Sequence, residues 1–190
     1  MVDLRFASLS VANLHDFLEY FDHVAFNGSN EQWDGCYCQF YLNTPERIKE
    51  IQAQPENRHS INRESACSRV ESGKMQGYLA YDGDEMVGWL LAGESMLFPA
   101  IHDADEKLAR MLCFVIHPQR RGEGVATSML SHAVEDLRSR GFAAVEAAPY
   151  KEVPSFEGNY RGTVSMFSKA GFEQVADMGD FGLLMRLALD

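Results

Sequence analysis

Apolar and polar positions change period several times along the chain, and each change marks an element. Asp3 to Leu9 alternates at the two-residue period of a strand. After Ser10, a capping residue, the apolar positions Val11, Leu14, Phe17, Leu18, Phe21 and Val24 keep the spacing of a helix that buries one face. Residues 27–41 keep neither period and are rich in aromatics. Asn43-Thr44-Pro45-Glu46 combines a cap, a proline suited to a first helical turn and an early acid, which predicts a short polar helix to about Gln54. A second helix is predicted from Ser60 to the stop at Gly73.

From Met75 onward the pattern favours strands. MQGYLAYD and EMVGWLLAG flank Asp82-Gly83-Asp84, turn chemistry for a β-hairpin. Glu94 to Lys107, with His102, Asp103 and Asp105, reads as an exposed loop. Leu108 to Ile116 is a continuous apolar run, the signature of a buried strand, and Pro118 ends it because proline cannot donate to the ladder. Between Gly122 and Arg140, Val125, Met129, Ala133, Val134 and Leu137 form an apolar stripe that Gly141 closes. FAAVEA predicts the next strand, Gly162 to Ala170 a short helix, and Phe172 to Asp190 two strands meeting near Gly179. Neither a repeat nor a low-complexity tract interrupts the order, so the fold class is α/β, with one strand–helix–strand unit over Leu108 to Ala147.

Composition narrows the function. The chain has 190 residues, 46% of them hydrophobic, enough for one domain with its own core. A formal net charge of −11 argues against nucleic acid as a main partner, because phosphate backbones are bound through basic surface. Apolar runs as short as Val87 to Gly93 are too brief to cross a bilayer, which argues against a membrane partner. MVDLRFASLS lacks the flanks of a signal peptide, so the four cysteines are expected as reduced thiols in the cytoplasm.

Arg120 to Ala126 reads RRGEGVA, a glycine turn between a buried strand and a helix start. Unpaired backbone N–H groups and the helix dipole make such a turn an anion site, usually for phosphate. Val125 and Ala126 follow Gly124 where a nucleoside-triphosphatase loop needs lysine and a hydroxyl. A dinucleotide loop is closer, with Gly122 and Gly124 in place and Glu146 where a ribose-binding acid would lie. Thr127 stands at its third glycine, however, and only 44 residues follow Glu146, too few for the second half of that fold.

Ile116-His117-Pro118, then Arg121, Gly124 and Ala126 at the spacing of arginine, two residues, glycine, one residue, alanine, resemble the signature of the GCN5-related N-acetyltransferase (GNAT) family. SMFSKAGFEQV near the end resembles that family's second motif, and the resemblance covers residues 75–190. It implies a mixed, mostly antiparallel twisted sheet, splayed at its centre and flanked by helices on both faces. It also implies a single N-acetyltransferase domain over 1–190, with an acceptor-side region at 1–74 and an acetyl-CoA-binding core at 75–190. Acetyl-CoA would lie in the splay, its pyrophosphate on the amides of Arg121, Gly122, Glu123, Gly124, Val125, Ala126 and Thr127. Its pantetheine arm would pair with Phe114, Val115 and Ile116. Arg120 and Arg121 would offset the charge, and Glu123 would contribute only its peptide.

Two positions depart from the family pattern. Phe167 stands where many members carry the tyrosine that protonates the departing thiolate, beside the cofactor, and Tyr160 stands where an asparagine is common. Tyr160, Tyr150 or water could supply the proton. Glu146, an acid in an apolar strand beside the splay, is the first candidate for the base, or else a solvated edge residue. In WDGCYCQFY, Cys36 and Cys38 would point the same way on an extended segment; metal ligation and a regulated thiol pair stay open, although no second pair completes a zinc site. Trp33, Tyr37, Cys38 and Tyr41 are expected to line an acceptor pocket. The expected function is acetyl-CoA-dependent N-acetylation of a small-molecule amine, without a metal. A protein N-terminal or lysine acetyltransferase and a non-catalytic acyl-CoA sensor are the alternatives, and a homodimer stays open.

Overall fold

The computed structural model describes residues 4–26, 33–99, 101, 105–152 and 159–189. Seven strands form one sheet: β1 (Arg5–Ser8), β2 (Gly77–Asp82), β3 (Glu85–Glu94), β4 (Leu108–Ile116), β5 (Ala144–Ala147), β6 (Glu173–Asp177) and β7 (Leu183–Ala188). Their order is β1-β2-β3-β4-β5-β7-β6. Every neighbouring pair is antiparallel except β4 with β5. A mixed, mostly antiparallel sheet is therefore present as expected.

Helices cover both faces. On one lie α1 (Leu14–His23), α2 (Gln39–Leu42) and α4 (Arg58–Glu71), whose apolar side chains join Trp89, Leu91 and Val115 in one core, with α3 (Pro45–Gln52) packed on α4. On the other, α5 (Val125–Ser139) buries the whole expected stripe against β2, β3 and β4, together with α6 (Val164–Lys169). Gly88 lets α5 settle close, since a Cβ there would come within 2.8 Å of Met129 Sδ. Thr44 and Thr163 cap α3 and α6 through their hydroxyls, as helix N-termini require.

Some expectations change. Val11 sits in a 3-10 turn before α1 and is 63% exposed, because α1 turns its buried face inward only from Phe17. The loop after β3 is not fully exposed: Phe98 is in the core, and Ser95 Oγ bonds the backbone N–H and carbonyl of Asp105 at 2.8 Å each. His102 and Asp103 fall outside the described residues. The sheet opens at its centre. β4 and β5 pair only from Leu108↔Ala144 to Met111↔Ala147, which leaves Leu112 to Ile116 with no strand on that side among the described residues.

Candidate functional site

The gap between β4 and β5 opens into a cleft of about 710 Å³. The β4 residues Cys113 to Ile116 form its floor, and Gly122, Gly124 and the first turn of α5 form one end. Gly122 and Gly124 hold φ of 83° and 87°, a left-handed backbone that side chains rarely adopt, and nothing lies within 4 Å of where a Cβ would stand. Packing therefore does not require these glycines. The backbone path and close access to the amides do, and with the N-terminus of α5 behind them they suit a phosphate-bearing group.

The acid inside the turn has a partner. Arg120 bonds Glu123 and Asp82 at 2.7 Å each, which ties the loop to the β2–β3 turn. That corrects the expectation for Arg120, whose charge is already matched by two carboxylates. Arg121 lines the cleft, with Nε donating to the Ile116 carbonyl at 3.3 Å.

The other end of the cleft is aromatic. Trp33 lies 5.3 Å from the Tyr160 ring, and Tyr41, Phe40 and Phe26 complete the wall. Tyr160 crosses the splay, and its carbonyl accepts from the Phe114 N–H at 2.6 Å. Its hydroxyl shares a 3.0 Å hydrogen bond with Tyr150, and burial pushes its pKa up to about 12. Tyr41 is shifted upward too, chiefly by burial. One feature escaped the sequence reading: Asn159, one residue before the expected asparagine position, lines the cleft with a buried Oδ1 that has no hydrogen-bond partner among the described residues.

A family model described as the acetyltransferase (GNAT) family matches residues 35–155. The chain belongs to that family. Solved structures agree with the fold of this GNAT acetyltransferase. The PaiA N-acetyltransferase of Thermoplasma acidophilum, in complex with coenzyme A, is 15% identical, with 98% of this chain and 99% of that one covered and a TM-score of 0.56. A GNAT-family acetyltransferase from Brucella melitensis, in complex with acetyl-CoA, is 11% identical, with 100% and 90% covered and a TM-score of 0.53. The GNAT domain of S. lividans PAT is 16% identical, with 97% and 90% covered and a TM-score of 0.56. No curated protein sequence matches the chain.

Within this GNAT acetyltransferase the expected residues separate. Phe114, Val115, Ile116, Arg121, Gly122, Gly124, Val125, Ala126 and Thr127 line the cleft, as do Trp33, Cys38, Tyr41 and Tyr160. Phe167 does not: it is 0% exposed, packed between Phe114 and Phe172 in the core beneath the floor. Tyr37 is also turned away, stacked on Phe21 with its hydroxyl bonded to Asp22 and His59.

The Cys36–Cys38 segment is a turn and not extended, with Tyr37 and Cys38 at φ of 43° and 54°. Those left-handed residues are held by the Tyr37 contacts and by Trp89 Nε1, which donates to Cys38 Sγ at 3.2 Å. Both cysteines nevertheless line the cleft. Burial pushes Cys36 up to about 12 and holds Cys38 well above its ordinary value, with Cys113 beside it.

Glu146 is 3% exposed and is not among the cleft-lining residues. Sheet register sets Arg110 and Arg186 on either side of it. Arg186 donates through Nε at 2.9 Å and Nη2 at 2.5 Å, and Arg110 Nη2 lies 3.5 Å away. The carboxylate is held between two guanidiniums and does not line the cleft, so the expectation of a general base there is replaced by an internal ion pair.

Proposed function

We propose that this acetyltransferase takes acetyl-CoA and passes its acetyl group directly to the primary amine of a small molecule. One observation carries the reading: a single cleft joins the glycine loop, the stretch of β4 that β5 does not cover and the aromatic wall, so a phosphate-bearing thioester and an acceptor fit end to end. Bound there, acetyl-CoA supplies an electrophilic thioester carbonyl. The amides of Arg121 to Thr127 and the α5 dipole would hold its diphosphate. The Phe114 to Ile116 segment, whose Phe114 N–H is held by the Tyr160 carbonyl, would take its amide-bearing arm through its remaining backbone groups. Tyr160, kept protonated by burial and oriented by Tyr150, would give a proton to the departing sulfur. The Trp33 and Tyr160 contact that closes the far end favours a small acceptor over a protein terminus or lysine. Four free thiols, Cys36, Cys38, Cys67 and Cys113, support a reducing, cytoplasmic setting.

A second reading, a non-catalytic acyl-CoA sensor, draws on another observation. The described lining residues include no aspartate, glutamate or histidine to accept the proton of the amine. Thermal shift against CoA esters, followed by thiol release over a panel of amines, separates the two. Stabilisation with turnover supports transfer, and stabilisation with no turnover on any amine supports the sensor. Gly124→Val should abolish CoA stabilisation while the protein stays folded, because φ of 87° is strained for a branched residue. Wild-type CoA affinity in that variant sinks the site assignment.

A further inference from the structure

Charge is unevenly divided between the whole protein and its cleft. The chain carries a formal net charge of −11, yet the described residues lining the cleft include Arg58, Arg120, Arg121 and Arg161 and no acid. Arg120 is matched by Asp82 and Glu123, and Arg121 belongs to the glycine loop. Arg58 reaches the Asp34 carbonyl at 2.5 Å. Arg161 stands at the acceptor end, next to Tyr160.

Its surroundings are unusual for a cation. The guanidinium lies 4.3 Å over the Tyr150 ring and 5.9 Å from the Tyr160 ring. Nη1 donates to the Phe181 carbonyl at 3.0 Å, while Nε is buried and has no hydrogen-bond partner among the described residues. No described carboxylate forms an ion pair with it. The side chain is half-buried, and a buried N–H donor left unmade costs free energy that an anionic partner would recover. Nη1 is committed and Tyr41 also hydrogen-bonds the guanidinium, so what remains unmade is the Nε–H, one arm of the planar fork that a carboxylate meets.

We infer that Arg161 binds a carboxylate on the acceptor, and that the acceptor class is amino acids with an apolar side chain. The inference rests on the acetyl-transfer reading above and names the acceptor for it. Trp33, Phe26, Phe40 and Ile51 give the side chain an apolar wall. Asn159 Oδ1, buried and unpartnered two residues from Arg161, offers an acceptor for the amine N–H. A polyamine, with no anionic group, would meet Arg161 as a like charge.

The test uses acceptor pairs that differ only in the carboxylate: leucine and isopentylamine, methionine and 3-(methylthio)propylamine, phenylalanine and phenethylamine. Thiol release should give at least one amino acid a kcat/KM about tenfold or more above that of its partner. Arg161→Gln should raise KM for that amino acid about 10- to 100-fold, the range expected for a lost hydrogen bond to a charged group. The KM of the paired amine should change several-fold less than that, any loss in kcat should be shared by both members of the pair, and the CoA-induced thermal shift should persist. Arg161→Lys, which keeps the charge and loses the fork, should recover only part of the affinity. Wild-type protein that turns over carboxylate-free amines as well as their partners overturns the inference and leaves acetyl transfer standing. So does an equal rise in KM on both members of a pair in Arg161→Gln. If no amine releases thiol, calorimetry on the CoA-saturated protein decides: amino-acid binding lost in Arg161→Gln upholds the carboxylate site and sinks acetyl transfer, and absence of binding overturns the site.

Discussion

Glu146→Ala distinguishes a structural ion pair from a catalytic base, and its cost can be worked from the contacts. The two arginines respond differently to loss of the carboxylate. The Arg186 side chain is 49% exposed and returns to water, so its share is that of a half-exposed pair, about 0.5–1 kcal/mol. Arg110 is only 6% exposed and keeps a further partner, so its share stays below the roughly 3–5 kcal/mol that a buried charge left wholly unpaired would cost. Together the two shares put the loss at about 1–4 kcal/mol, or roughly 2–16 °C in Tm for a chain of this size. Glu146→Gln keeps the shape and one accepting oxygen and should lose less, about 1–3 kcal/mol. Urea denaturation with an unchanged m-value measures the loss, and thiol release by the folded variant at low temperature measures catalysis. The ion-pair account expects kcat to change by only a few-fold. A general base contributes about 100-fold or more. A stability loss under about 1 kcal/mol with a hundredfold fall in kcat would refute the ion pair and restore Glu146 as the base.

Tyr160→Phe should lower kcat about 100-fold if its hydroxyl protonates the leaving thiolate, and an unchanged kcat removes it from that role. Because burial raises the Tyr160 pKa to about 12, the folded state holds a proton that the unfolded chain releases near pH 10. Its contribution to stability is therefore complete below about pH 10 and lost as pH rises to about 12, and this part of the slope should vanish in Tyr160→Phe titrations. Iodoacetamide at pH 8 should label Cys36 and Cys38 more slowly than a free thiol, because burial raises both thiols above their ordinary pKa, until urea unfolds the chain. Mass mapping that finds both labelled rapidly in the folded protein contradicts the burial.

What could be read from the sequence depended on whether a role rests on backbone or on partners. The glycine loop was legible because its function needs only positive φ at Gly122 and Gly124 and a helix behind them, and glycine spacing reports both. The α5 stripe and the β2–β3 turn were legible for the same reason, since periodicity and turn chemistry are local. Glu146 was not. Alternation puts it on the sheet face opposite Val145, but the register that aligns it with Arg110 and Arg186 comes from strands distant in sequence. Tyr37 and Cys38 escaped similarly, because two non-glycine residues at positive φ have no sequence signal and persist only through contacts to Asp22, His59 and Trp89. Glu123 and Asp82 show how the two levels meet. Each belongs to a turn that local chemistry predicts, yet only the folded sheet brings both to Arg120 and withdraws that charge from the cleft. Arg161, beside the aromatic wall, is the cation on which the proposed selectivity for a carboxylate-bearing acceptor rests.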